Sequence, residues 1–142
     1  GKCLEDGTMK AVQARVEALT GVPQRNCEYM QVLQYEAGQY YNRHHDQNSP
    51  RSSAWGPRMF TVFMYIGDGY EGGLTHFPRL NLSIKPDKGT ALIFFPAFLN
   101  GELDTDALHS GMPAEDTKWV SQVWIRQTSH KNGRPSSPVR CV

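Results

Sequence analysis

The spacing of apolar positions changes near residue 23. Before it the period is helical: Met9, Val12, Val16 and Leu19 fall at i, i+3, i+7 and i+10, with Lys10, Gln13 and Glu17 on other faces. This predicts a helix from Thr8 to Leu19, capped by Thr8 or Asp6 and ended by Gly21 before Val22-Pro23. Beyond Pro23 the apolar runs are short and bounded by turn formers. Strands are predicted at Tyr29–Tyr35, Gln39–Asp46, Arg58–Ile66, Leu74–Phe77, Leu80–Ile84, Thr90–Phe95, Leu108–Met112 and Lys118–Arg126. The most apolar of these, Arg58–Ile66, is expected at the centre of a sheet. Residues 47–57 are polar and rich in Ser and Pro, and Gly67–Gly73 is rich in Gly, so both read as turns or loops.

Many short strands separated by turn signals point to an antiparallel sandwich or jelly roll, here with one helix supporting a face. At 142 residues the chain suits one domain, with a core over about 8–126 and a loosely ordered tail over 127–142. A net charge of +1 without long charge runs gives no electrostatic case for a nucleic-acid partner. No apolar run is long enough to span a bilayer, so no membrane segment is expected in this chain. The three cysteines, Cys3, Cys27 and Cys141, lack CxxC spacing, and an odd number leaves at least one thiol unpaired within the chain.

The candidate chemistry begins at His44-His-Asp46. Alternate residues of a strand project to one face, roughly 6–7 Å apart, so His44 and Asp46 can bind one metal while His45 points away. An imidazole and a carboxylate are two of the three ligands of a 2-His-1-carboxylate facial triad, which leaves open positions on Fe(II). A third ligand must come from elsewhere, and His76, His109 and His130 are candidates. His130 lies in the polar tail and His76 beside Thr75 on a short strand, so both also read as surface histidines. On the last strand Lys118, Val120, Gln122, Trp124 and Arg126 share one face. If that face is inward, each cation needs an anion, and a bound dicarboxylic acid would satisfy Lys118. If it is outward, Trp119 and Val123 form the inner face instead.

Several segments in one order resemble the prolyl 4-hydroxylase branch of the Fe(II)/2-oxoglutarate dioxygenases. They are Tyr35-x-x-Gly38-Gln39-x-Tyr41-x-x-His44-x-Asp46, Arg58-x-x-Thr61, Met64-Tyr65-Ile66 and Gly72-Gly73-Leu74-Thr75-x-Phe77-Pro78. Lys85-Pro86-x-x-Gly89-x-Ala91-Leu92-x-Phe94, His109-Ser-Gly-x-Pro113, Lys118-Trp119 and Trp124-Ile125-Arg126 follow. The family commonly has an acid where Leu74 stands. The resemblance implies a double-stranded β-helix core with His44, Asp46 and His109 as iron ligands. It implies that Lys118 pairs with the distal carboxylate of 2-oxoglutarate, that Tyr35 and Thr75 hydrogen-bond this cosubstrate, and that Trp124 and Arg126 line the same pocket. Tyr41, Arg58 and Trp124 would face a peptide groove, under a mobile segment at 47–57.

The activity so implied is hydroxylation of peptidyl proline to 4-hydroxyproline, using Fe(II), O2 and ascorbate. It is coupled to decarboxylation of 2-oxoglutarate to succinate and CO2. The implied partner is an extended, proline-containing peptide, pre-ordered as polyproline II, and the implied compartment is the lumen of the endoplasmic reticulum. Alternatives are the same chemistry on another residue or a small molecule, and a non-catalytic metal-binding jelly-roll module. Zinc hydrolysis lacks its HExxH signature here.

Overall fold

The computed structural model describes residues 6–50 and 53–129. Helix α1 (Gly7–Thr20) begins at Asp6, whose carboxylate accepts from the Thr8 and Met9 backbone N–H groups. It ends at Gly21, in the left-handed conformation that glycine adopts without a Cβ penalty. Val16 is buried, but Leu19 is 65% exposed, so the apolar stripe stops short of its predicted end. Val22, beyond the Gly21 turn, packs on the core cluster instead.

Among the described residues, eight strands form two four-stranded sheets. In chain order they are β1 (Gln31–Tyr35), β2 (Tyr41–His44), β3 (Arg58–Tyr65), β4 (Thr75–Phe77), β5 (Leu82–Ile84), β6 (Ala91–Phe94), β7 (His109–Gly111) and β8 (Lys118–Arg126). One sheet has the order β1-β8-β3-β6 and the other β2-β7-β4-β5, and all pairings are antiparallel. Two such sheets, one helix and crossover pairings make the jelly roll, a mainly β fold with a flanking helix. β3 is central, as its run of apolar residues predicts.

The larger sheet is covered on both faces, which accounts for its two alternating sets of buried residues. Val62 and Val123, with Ile125 and Val16, form the buried cluster under α1, joined by Phe60, Met64 and Ile93. The other β3 parity, Thr61, Phe63 and Tyr65, turns toward the second sheet. On β8, Lys118 is 2% exposed and Trp119 36%, so the Lys118 parity faces inward. Val123 is buried as well, against the helix rather than in the barrel.

Two expectations are revised. The strand foreseen over Gln39–Asp46 stops at His44, and Asp46 lies in the bend beyond it. The stretch just after β8 is tied down rather than loose. Gln127 and Thr128 donate backbone N–H bonds to the Pro57 and Trp55 carbonyls, and the Asn26 amide donates to the Arg126 and Gln127 carbonyls. Cys3, His130 and Cys141 lie outside the described residues, as does the tail beyond Ser129. Cys27 is a free thiol whose pKa is pushed up to about 11 by burial, with help from the nearby Glu17 charge. Among the described residues, no helix is long and apolar enough to cross a membrane.

Candidate metal centre

His44 and His109 are direct register partners across β2 and β7, which places their rings 4.3 Å apart. Asp46 reaches the same point from the bend after β2. One donor atom from each of the three lies within 4.8 Å of the others, and they are the sole such cluster among the described residues. Of the candidate third ligands, His109 is therefore brought in. His76 faces away, with its Nδ1 against the Ser83 hydroxyl at 2.9 Å.

The three side chains are held in the forms a metal requires. The Nδ1–H of His44 donates to the Asn42 carbonyl (2.8 Å) and that of His109 to the Ala107 carbonyl (3.0 Å). Each Nε2 is thereby left with its lone pair toward Asp46, at 3.5 Å and 3.8 Å from Oδ1. Burial holds His109 below the usual imidazole range, outweighing the Asp46 charge and the Ala107 bond, and so favours the neutral ligand form. Burial opposes ionisation of Asp46 as well. In the metal-free protein, when the imidazoles carry protons on the side facing it, His44, His109 and the Thr61 hydroxyl outweigh burial and the pKa falls to about 2. Thr61 donates to Oδ2 at 2.6 Å, which fixes the carboxylate with Oδ1 facing the imidazoles. The donor set, two neutral imidazoles and one anion on one side of a point, fits a divalent metal with open positions. The rings of Phe77 and Phe94 against His109 make that side apolar.

Lys118 ends in an aromatic enclosure. Its ammonium lies 5.4 Å from the ring centre of Tyr35, its register partner on β1, and 5.8–5.9 Å from those of Tyr65, Phe63 and Tyr70. It donates to the Gly73 carbonyl, and no carboxylate pairs with it among the described residues. Burial drags its pKa down to about 8. Gly73 has φ of +61°, and a Cβ there would stand 2.9 Å from the lysine Cδ. A side chain is thus excluded for both conformational and steric reasons. Thr75 lies beside this enclosure, its hydroxyl bonded to that of Tyr65 at 2.7 Å.

Other expected site residues fall elsewhere. Trp124 is opposite Thr61 and turns its indole N–H toward Asp46 without closing a hydrogen bond, which puts it at the metal end. Arg126 does not line the Lys118 pocket, because eight residues of strand separate them, roughly 26 Å. It pairs instead with Glu28 (2.7 Å) and donates to the Ser49 hydroxyl and the Gly56 carbonyl, fastening those two residues to β8. Arg58 is likewise occupied. Its fork grips both Glu28 oxygens and the Asp46 carbonyl, and its plane lies 3.7 Å over Trp124. It braces the metal ligand rather than offering a free donor to a groove. Tyr41 is half exposed, edge-on to His44 at 4.2 Å, and lines an open pocket of about 450 Å³ with Tyr35, Gln39 and Tyr40.

Thr61, Tyr65, Phe63 and Glu28 are parts of the site that sequence reasoning missed. A signal for Thr61 existed: a hydroxyl inside an apolar central strand needs a buried partner. Glu28 carried none, since its two arginines lie far along the chain.

Fold and donor set together define a jelly-roll protein built around one facial metal site. The profile of the 2OG-Fe(II) oxygenase superfamily matches residues 30–126. The chain is 33% identical over 135 residues to prolyl 4-hydroxylase 1 of Arabidopsis thaliana, covering 84% of this chain and 48% of that protein. It is also 33% identical over 138 residues to the prolyl 4-hydroxylase subunit alpha-1 of Rattus norvegicus, covering 92% of this chain and 26% of that one. Among solved structures, the viral collagen prolyl hydroxylase of Paramecium Bursaria Chlorella virus-1, in its 2OG complex, superposes with a TM-score of 0.71 at 31% identity. That match covers 81% of this chain and 70% of the viral one. The chain belongs to the 2OG-Fe(II) oxygenase superfamily, in its prolyl 4-hydroxylase branch. It spans at most about half the length of these curated relatives.

Proposed function

We propose that this domain is an Fe(II)- and 2-oxoglutarate-dependent dioxygenase that hydroxylates peptidyl proline to 4-hydroxyproline. The observation that carries the reading is the pairing of two features inside one jelly roll. One is a neutral-imidazole and carboxylate triad, and the other is a buried ammonium with no acidic partner among the described residues. A metal alone explains the first, and a dicarboxylate that reaches from it explains the second. His44, Asp46 and His109 would hold Fe(II). With 2-oxoglutarate and O2 bound, the metal supplies the oxidising power for C–H hydroxylation, with release of succinate and CO2.

The chain's own residues do the positioning. Thr61 and Arg58 fix Asp46 through its carboxylate and its carbonyl. Lys118 neutralises the distal carboxylate, while Tyr35 and Thr75 supply hydroxyls near it. Phe77 and Phe94 exclude water from the His109 side. Tyr41 and Trp124 offer flat aromatic surface beside the metal, which suits the ring of a proline in an extended, pre-ordered peptide. The names of the relatives support proline as the residue acted on.

The test is succinate release by the purified chain with Fe(II), 2-oxoglutarate and ascorbate, with and without a proline-rich peptide. The expected result is peptide-stimulated succinate and a mass gain of one oxygen on proline. Succinate without peptide oxidation would keep the dioxygenase and remove the substrate. No succinate from a folded, iron-loaded chain would leave a metal-binding module. In the His109→Ala variant the fold should persist and the iron-dependent turnover should vanish.

A further inference from the structure

Tyr70 lies in the Gly-rich turn between β3 and β4. It is 4% exposed, and its hydroxyl has no hydrogen-bond partner among the described residues. A buried phenol left unpaired costs on the order of 1–3 kcal/mol, which phenylalanine at the same place would avoid. The hydroxyl therefore needs an acceptor that the described residues do not supply. Its surroundings indicate what kind. The ring centre is 5.9 Å from the Lys118 ammonium and 5.2 Å from that of Lys85, which is itself paired with Glu71. The Tyr70 phenol is close enough to that of Tyr65 to hinder its ionisation, and the Tyr65 hydroxyl is already joined to Thr75. The free donor thus belongs to the enclosure around Lys118, where the missing acceptor is an anion.

We propose that Tyr70 is a specificity-determining residue of the cosubstrate pocket, donating its hydroxyl to the distal carboxylate that Lys118 neutralises. This rests on the dioxygenase reading above and extends it. A carboxylate has two oxygens and accepts from both an ammonium and a phenol, so the two residues divide it between them. An anion with only the chelating oxalyl end never reaches this part of the pocket. Tyr70 accordingly discriminates five-carbon 2-oxo diacids from short chelators. It does not change how the metal end is held.

The experiment is equilibrium binding to the Mn(II)-loaded chain under anaerobic conditions, comparing wild type with Tyr70→Phe, using 2-oxoglutarate and oxalate as probes. Phenylalanine keeps the ring and removes only the unpaired hydroxyl, so the melting temperature of the ligand-free variant should equal or exceed that of wild type. The expected result is a roughly tenfold weaker binding of 2-oxoglutarate with oxalate affinity unchanged. Unchanged 2-oxoglutarate affinity would overturn the proposal and leave the hydroxyl to bound water. Equal losses for both probes would overturn it too, by making the effect one of packing. A wild-type chain that binds oxalate and not 2-oxoglutarate would instead overturn the dioxygenase reading on which the proposal stands.

Discussion

At the scale of single residues, the site depends on groups that never touch the metal. Thr61 contributes one methyl and one hydroxyl, and the hydroxyl decides which oxygen of Asp46 faces the imidazoles. Thr61→Val keeps the shape and removes that donor. Metal affinity should fall by ~10-fold or more, measured by Mn(II) titration, because the freed carboxylate loses both its orientation and a bond that favours its anion. The residues of the triad were legible in sequence because His44-x-Asp46 needs only local geometry, and His109, one of three candidates by residue type, was singled out by the family resemblance and is brought in by the fold. Thr61 and Tyr65 were harder. Their roles exist only once β3 faces the second sheet, and nothing in the chain marks which parity of a doubly covered strand will do so. Arg126 was misplaced for a related reason. Parity said which face it shared with Lys118, but the strand's length put it at the opposite end.

At the scale of elements, two devices hold the site's parts in relation. Glu28, just before β1, binds the guanidinium groups of Arg58 on β3 and Arg126 on β8, and all three are largely buried. Burial alone would raise its pKa, yet the two arginines hold it below the usual range. Glu28→Ala leaves two buried cations without an anion. It should destabilise the fold by about 3 kcal/mol or more, seen as a lower urea midpoint, with Glu28→Gln less severe. Loosening around Ser49 and Gly56 should accompany it, since Arg126 also holds these two residues. The second device is the Gly72-Gly73 turn before β4. Gly73→Ala forces a positive φ on a side-chain residue and pushes on Lys118. Weaker 2-oxoglutarate binding at unchanged metal affinity is expected, measured by calorimetry. The sequence showed the strands and this turn well, because alternation and glycine are local signals. It did not show where β2 would stop, since that depends on Asp46 leaving the ladder to meet His44, His109 and Thr61.

At the scale of the whole molecule, two buried charges make the stability of the ligand-free protein rise with pH in two separate windows. Asp46 has its pKa lowered to about 2 from 3.8, so it contributes stability above pH 3.8, lost as pH falls toward 2. The loss should be on the order of 2 kcal/mol. Lys118 has its pKa lowered to about 8 from 10.5, so the unfolded chain binds the extra proton between those values. Stability should therefore rise from pH 8 to 10.5, by on the order of 3 kcal/mol, in denaturant titrations of the metal-free chain. A bound diacid reverses the lysine's preference. Its binding should take up a proton above pH 8 and weaken as pH rises, which calorimetry in buffers of different ionisation enthalpy would detect.

The pairing of β1 with β8 bears on how such a protein comes into being. Tyr35 and Lys118 are partners across that seam, so β1 finds this neighbour only when β8 has been made. Such long-range closure is slow relative to local hairpins. A chain still on the ribosome, or one cut short before β8, already carries His44, Asp46 and His109, yet lacks the strand that joins β1 to β3 in the larger sheet. Copies without β8 therefore possess all three metal donors and no means of assembling them, and the site is acquired in one step, when β8 joins β1 to β3.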